Sequence, residues 1–226
     1  RIRGVMVRSL DLFIFDLAGT TVVDDDHVLR SFLRAAQAFD LIVTREQLQS
    51  RMGWHKAKVF ASLLAEHGRD VAPAQEMAER FEVEFAALAA SEPLRETPGA
   101  HATLAALEAG GVKIAFNTGF TRKTANVVLE AMGWQKWVSV ASDEVAAGRP
   151  APDLIESAMA ACQVRDPARV GVAGDTPADL AAGTAANVGM IVGLGCGTHT
   201  LAQLREHPHT HLLDDLTTLP RLVLGQ

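Results

Sequence analysis

A carboxylate, a glycine and two threonines close an apolar run near the start of the chain. Leu12-Phe13-Ile14-Phe15 is followed by Asp16-Leu17-Ala18-Gly19-Thr20-Thr21. Four consecutive large apolar residues read as a strand buried on both faces. A carboxylate at the end of such a strand is costly unless a cation or a reaction holds it there. Gly19 and the threonines suit a tight turn whose backbone N–H groups face an anion. Asp16 therefore reads as a nucleophile or a metal ligand.

The same placement recurs along the chain. Val112–Phe116 leads into Asn117-Thr118-Gly119, and Trp137–Val140 precedes Asp143-Glu144 and Gly148-Arg149-Pro150. Val170–Ala173 leads into Gly174-Asp175-Thr176-Pro177-Ala178-Asp179, and Val188–Val192 forms a fifth apolar stretch. Helical stretches at 100–109, 121–132, 152–162 and 178–186 alternate with these strands. That alternation predicts an α/β fold, a doubly wound parallel sheet with helices on both faces. Ligands of such sheets sit at the carboxyl ends of the strands, where these polar residues collect. The chemistry they suit is phosphoryl transfer to a carboxylate: Asp16 attacks phosphorus, and water later hydrolyses the acyl phosphate. A dianionic substrate repels that carboxylate, so cations must offset the charge. Asp16 and Asp175 supply hard oxygen ligands suited to Mg²⁺.

Between the first strand and residue 98 the pattern is helical throughout. Val28, Leu29, Phe32, Leu33, Ala36 and Phe39 keep helical spacing. Thr44 with Gln47 is a capping-box signature. A helix over 56–66 stops before Gly68, and another opens near Pro73 with Met77, Phe81, Phe85 and Leu88 as its packing stripe. The predicted organisation is a core of residues 1–23 and 98–226, interrupted by a helical cap of residues 24–97.

Asp16-Leu-Ala-Gly-Thr resembles the first motif of the haloacid dehalogenase superfamily. Ala18, where most phosphatases of that superfamily carry a second Asp, makes it similar to the phosphonatase branch, the phosphonoacetaldehyde hydrolases and their relatives. The resemblance implies a Rossmann-like core with an inserted cap and an Mg²⁺ ion held by Asp16, Asp175 and the backbone carbonyl of Ala18, with Asp179 as a water-mediated partner. It implies that Thr118 and the Gly119 N–H hold phosphoryl oxygens, with Thr20 and Met52 also on the substrate. Arg149 stands where most members carry Lys, and its planar fork can grip phosphoryl and carboxylate oxygens together. Met52-Gly53-Trp54-His55-Lys56 resembles the Met-Gly-x-x-Lys of the phosphonatase cap, whose lysine forms a Schiff base.

Ala18 and Lys56 belong together chemically. Alanine cannot protonate a departing alkoxide. Cleavage of a C–P bond expels a carbanion instead, and a protonated imine beside it is the electron sink it needs. One position departs from the strict family pattern: Val59 stands where a His follows the Schiff-base lysine by three residues, and His55 is no obvious replacement. The chain therefore resembles a phosphonatase-like sister group acting on a related 2-oxoalkylphosphonate. The alternatives are a phosphomonoesterase of the phosphoglycolate-phosphatase type, a metal-independent dehalogenase, and a non-catalytic phosphonate-binding protein. Ala18 argues against the first, the Asp175/Asp179 pair against the second, and retention of Asp16 and Lys56 against the third.

Composition sets the outer bounds. The chain has 226 residues, 48% of them hydrophobic, and a formal net charge of −6. No basic patch of the scale needed for nucleic acid is present, and the apolar runs are too short to span a membrane. The basic segment 1–8 lacks the apolar stretch of a signal peptide. Two cysteines, Cys162 and Cys196, make no disulfide framework. A cytoplasmic enzyme with a small-molecule partner is expected, and the family resemblance implies a homodimer formed through the cap.

Overall fold

The computed structural model describes residues 10–225; the basic segment at the start of the chain lies outside the described residues. Six strands form one parallel sheet: β1 (Leu12–Phe15), β2 (Lys113–Asn117), β3 (Val138–Val140), β4 (Val170–Gly174), β5 (Met190–Leu194) and β6 (His211–Leu213). Their order is β3-β2-β1-β4-β5-β6, every neighbouring pair parallel. The chain builds outward from β1 through β2 to β3, then crosses back to lay β4 against the other side of β1. The order reverses between β1 and β4, which makes the carboxyl ends of those two strands the switch point.

β1 is buried on both faces, as its sequence demands. Phe13 and Phe15 point into one core layer; Leu12 and Ile14 point into the other. The first layer is covered by α5 (Ala100–Ala109), α6 (Arg122–Met132) and α10 (Leu219–Leu224), and the second by α7 (Asp153–Ala161), α8 (Pro177–Ala185) and α9 (Leu201–Leu204). α5 and α6 belong to the first half of the winding and α7, α8 and α9 to the return, as right-handed crossovers require, while α10, after β6, comes back to the first face.

Four helices separate β1 from α5: α1 (His27–Gln37), α2 (Arg45–Gln49), α3 (Lys56–Glu66) and α4 (Ala74–Ser91). Asp24 caps the first turn of α1, accepting from the Val28 N–H at 3.0 Å. The Thr44–Gln47 capping box opens α2, and Gly68, at φ 66°, closes the turn after α3. Phe32 lies 4.6 Å from Phe81 and 5.3 Å from Phe60, ring to ring, so α1, α3 and α4 share an aromatic core. The two crossings between this helical layer and the sheet run side by side. The Val23 N–H donates to the Arg95 carbonyl and the Thr97 N–H to the Thr21 carbonyl, at 2.8 and 2.9 Å. The buried Thr97 hydroxyl adds a bond of 2.7 Å to the Thr20 carbonyl.

The last part of the chain differs from the sequence reading. The fifth strand starts at Met190, not Val188, because Asn187 takes a left-handed turn (φ 54°) and Gly189 packs so closely on the Ala168 backbone that a side chain has no room. The sixth strand, with α9 and α10, has no counterpart in that reading; β6 is a three-residue edge strand, half-buried along its length. No helix among the described residues is long and apolar enough to cross a membrane.

The paired crossings generate a prediction. Thr97→Val keeps the volume but leaves the buried Thr20 carbonyl without its hydroxyl partner. The variant should lose about 1–3 kcal/mol of unfolding free energy in a urea titration; an unchanged midpoint would show that the bond carries nothing.

Candidate active site

The switch point gathers three buried carboxylates. Asp16 follows β1, Asp175 follows β4, and Asp179 sits on the first turn of α8. One oxygen of each lies within 4.8 Å of the others. Arg149, from the loop between β3 and α7, enters beneath them, itself 2% exposed. Its Nη2 donates to Asp16 Oδ1 at 2.7 Å and its Nη1 pairs with Asp179 Oδ1 at 2.7 Å. Nη2 also donates to the carbonyl and the side-chain oxygen of Asn117, at 2.8 and 2.7 Å, which ties the guanidinium to the end of β2. Its Nε has no hydrogen-bond partner among the described residues.

Asp175 is held from both sides. The Thr20 hydroxyl donates to Oδ1 at 3.1 Å and the Thr198 N–H to Oδ2 at 2.6 Å. Gly19, at φ 83°, and Gly197 both press against this carboxylate, and a Cβ at either position would overlap it. Asp179 is committed on both oxygens: Oδ1 to Arg149, and Oδ2 to the N–H and hydroxyl of Thr176 at 3.1 and 2.6 Å. The latter contacts belong to the capping box that starts α8.

One guanidinium cannot neutralise three carboxylates. Burial raises the Asp16 carboxyl to about 6, with Arg149 pulling down and Asp179 pushing up. Burial raises Asp175 further, to about 8, and the charges of Asp16 and Asp179 add to it. Carboxylates driven toward their neutral forms in a glycine-lined cradle are the donor set of a hard divalent cation. The residues present fit Mg²⁺: Asp16 and Asp175 would hold it, beside the Ala18 backbone, with Asp179 as an outer partner already bound to Arg149. The ion would supply positive charge against the substrate's phosphoryl oxygens.

The helical layer brings one more group to this edge. Lys56, the first residue of α3, is 6% exposed, whereas Lys58 two residues on is in solvent. The Lys56 Nζ sits 5.4, 5.2 and 5.0 Å from the ring centres of Phe32, Phe81 and Phe120. Phe32 and Phe81 come from α1 and α4; Phe120 comes from the turn after β2. Burial in this cage lowers the lysine to about 8, while Glu82 and Asp16 draw it up and Arg149 pushes it down. The loop that delivers Lys56 comes close to the sheet edge through two glycines. Gly53, at φ 84°, has no room for a Cβ beside the Thr176 hydroxyl, and a Cβ on Gly119 would lie 3.1 Å from the Gly53 carbonyl.

Asp16, Ala18, Lys56, Thr118, Gly119 and Arg149 line one cavity of about 30 Å³, with Met52 in its wall. The Thr118 hydroxyl accepts from the Phe120 N–H at 3.1 Å, which fixes it at the rim. Thr20 stands apart from the other candidates: it is fully buried and its hydroxyl is aimed at Asp175, so it supports a carboxylate instead of facing the cavity. Val59 is 1% exposed and packed in the helical core, away from any proton-transfer role. His55 is half-buried at the seam, near Gly148, and burial lowers its pKa.

Three residues escape a reading of motifs. Asn117 could have been found, since it ends a buried strand beside Thr118. Asp24 also faces the cavity, but it begins an Asp24-Asp25-Asp26 run that reads as a solvated linker. Glu82, next to Phe81, accepts from the Thr121 hydroxyl at 2.8 Å and from the Thr124 hydroxyl, joining α4 to α6. Its neighbour in sequence gives no sign of that partner. A surface recess of about 890 Å³ lies at the opposite end of the sheet against α7 and Pro167, away from all these groups.

Residues 10–187 match the family model of the haloacid dehalogenase-like hydrolases. The chain belongs to that family. The phosphonoacetaldehyde hydrolase of Bacteroides fragilis is 30% identical over 222 residues, spanning 90% of this chain and 82% of the relative. Among solved structures, a hydrolase from Pseudomonas syringae superposes with a TM-score of 0.86 at 24% identity, covering 94% of this chain and 97% of that one. A phosphonoacetaldehyde hydrolase-like protein from Oleispira antarctica gives 0.83 at 18% identity, covering 97% and 96%. The haloacid dehalogenase-like fold accounts for the sheet order and for the carboxylates at the switch point.

The caged lysine makes a stability prediction. Its folded pKa, about 8, lies below its ordinary 10.5. Between those values the unfolded chain binds more protons, so stability rises with pH across that window, and below it the burial penalty is present in full. At 1.36 kcal/mol per unit, Lys56→Met should gain up to about 3 kcal/mol at neutral pH. The gain should shrink as pH rises from 8 to 10.5. A difference in unfolding free energy that stays constant over that window would contradict the burial account.

Proposed function

We propose that this haloacid dehalogenase-like hydrolase is an Mg²⁺-dependent phosphonatase that cleaves the C–P bond of phosphonoacetaldehyde or a related 2-oxoalkylphosphonate. The observation that carries the reading is Lys56: a buried, aromatic-caged amine with a lowered pKa, opening on the same cavity as Asp16. Phosphate-ester hydrolysis has no use for such a lysine, and Ala18 offers no acid for an alkoxide leaving group.

The chain's groups divide the work. The neutral Lys56 amine adds to the substrate carbonyl; loss of water leaves an imine, whose nitrogen takes up a proton from solvent. Asp16 attacks phosphorus, the C–P bond breaks, and its electron pair moves through carbon to the imine nitrogen, giving an enamine. Protonation at carbon and hydrolysis return the amine and release the carbonyl product. Water then cleaves the aspartyl phosphate to inorganic phosphate. Arg149 holds Asp16 in line, and its unpartnered Nε–H offers a donor to substrate oxygen. Thr118 and the Gly119 N–H hold phosphoryl oxygens at the rim. The phenylalanine cage keeps the amine out of water and so keeps a neutral fraction available near pH 8.

A cavity of about 30 Å³ holds a water molecule or two, not a phosphonate. Residues 24–97 therefore act in this reading as a cap that opens for substrate and closes over it, with the paired crossings near 22–23 and 95–97 as its hinge. A homodimer formed through this helical layer belongs to the same reading; Ile42 and Val83 on its surface are 86% and 56% exposed.

Borohydride tests the reading directly. Added during turnover of phosphonoacetaldehyde, it should reduce the imine, inactivate the enzyme and leave a stable adduct that peptide mass spectrometry maps to Lys56. Lys56→Arg should form no adduct and lose C–P cleavage by roughly a thousandfold or more. Normal phosphate release from Lys56→Arg, or an adduct on another lysine, would overturn the phosphonatase reading.

A further inference from the structure

A second cavity adjoins the first. It measures about 310 Å³ and shares Asp24, Met52 and Thr198 with the wall of the inner site. Gln49, Cys196 and Gly197 form its sides, and the Asp26–Arg45 pair stands at its outer rim, both side chains more than half exposed. Two sides of the inner cavity are walled off. Phe32, Phe81 and Phe120 close it around Lys56, and the Gly53 carbonyl lies against Gly119. The phosphoryl end of a substrate is fixed by Asp16 and Arg149, and its carbonyl carbon by Lys56. The adjoining cavity, past Asp24 and Met52, offers room for whatever else that carbon carries.

The lining decides what that group can be. Asp24 is the acidic side chain at the junction, which it shares with Thr198; its Oδ1 already accepts from the Val28 N–H. The cation of the outer cavity is engaged, since Arg45 holds both oxygens of Asp26 at 3.1 and 2.9 Å. A carboxylate in this space would meet Asp24 before reaching a free cation. A hydroxyl or ammonium group would instead donate to Asp24. A volume near 300 Å³ is at the lower end for small-molecule sites and ample for a short substituent.

Resting on the phosphonatase reading, we infer that this outer cavity is a substrate subsite: it takes a short, donor-bearing, non-anionic substituent on the carbonyl carbon, so that a hydroxymethyl or aminomethyl ketone phosphonate is preferred to the methyl ketone, and the methyl ketone to the carboxylate.

Phosphate release tests it with four substrates: phosphonoacetaldehyde, 2-oxopropylphosphonate, 3-hydroxy-2-oxopropylphosphonate and 3-phosphonopyruvate. The hydroxymethyl ketone should exceed the methyl ketone in kcat/KM on the order of ten- to a hundredfold, the span expected for a hydrogen bond to a charged group. The carboxylate should be the poorest of the ketones. Asp24→Ala should collapse the hydroxymethyl-to-methyl ratio toward one. Because Asp24 also caps α1, Gln49→Phe, which fills the cavity from its side, gives an independent reading: it should lower kcat/KM for the hydroxymethyl ketone relative to phosphonoacetaldehyde about tenfold or more. Equal turnover of the two ketones, a preference for the carboxylate, or ratios unmoved by Gln49→Phe would overturn the subsite while phosphonoacetaldehyde cleavage stands. No phosphate from any of the four would overturn the phosphonatase reading and the subsite with it.

Discussion

Arg149 holds Asp16 with one nitrogen and Asp179 with the other, and it does so almost entirely out of water. Breaking such a buried pair by removing one partner leaves an uncompensated charge, a loss of about 3–5 kcal/mol. The surrounding structure is organised around that constraint. β1 and β4 lie side by side because the winding reverses there, and this brings the carboxylates that follow them within reach of one guanidinium. Asn117 at the end of β2 fixes the same guanidinium from a third strand. The capping box of α8 orients Asp179, and Gly19 and Gly197 leave the space that Asp175 fills. The excess negative charge that remains is what suits the edge to a divalent cation.

The helical layer answers the opposite problem. Burial draws Lys56 toward its neutral form, against the attraction that the faces of Phe32, Phe81 and Phe120 have for an ammonium. One of the rings, Phe120, belongs to the turn after β2. The cage is therefore built jointly by the helical layer and the sheet. Glu82, bound to the hydroxyls of Thr121 and Thr124, holds α4 against α6 in the same arrangement.

Much of this was legible before any coordinates. The apolar runs at 12–15, 112–116 and 170–173 announce strands, and the residues after them announce a site, because an apolar strand leaves its polar chemistry to its carboxyl end. Thr44–Gln47 and Pro73 mark helix starts by local capping alone, and the structure keeps both. What stayed hidden depends on long-range packing. Lys56 and Lys58 are indistinguishable as residue types, and only the positions of Phe32 and Phe120 make one of them buried. β6 is stabilised by pairing with β5 and carries no alternating pattern of its own. Asp24 looks like linker and faces a cavity; Thr20 looks like a phosphate ligand and faces a carboxylate.

The central claim is that burial gives Lys56 a lowered pKa, about 8, in the cavity that Asp16 also lines. An NMR titration of the lysine side-chain Cε resonances, with Lys56 assigned by its disappearance in Lys56→Arg, reads that property without any substrate. The account predicts a midpoint near 8. A midpoint at the ordinary lysine value of 10.5 or above would contradict it.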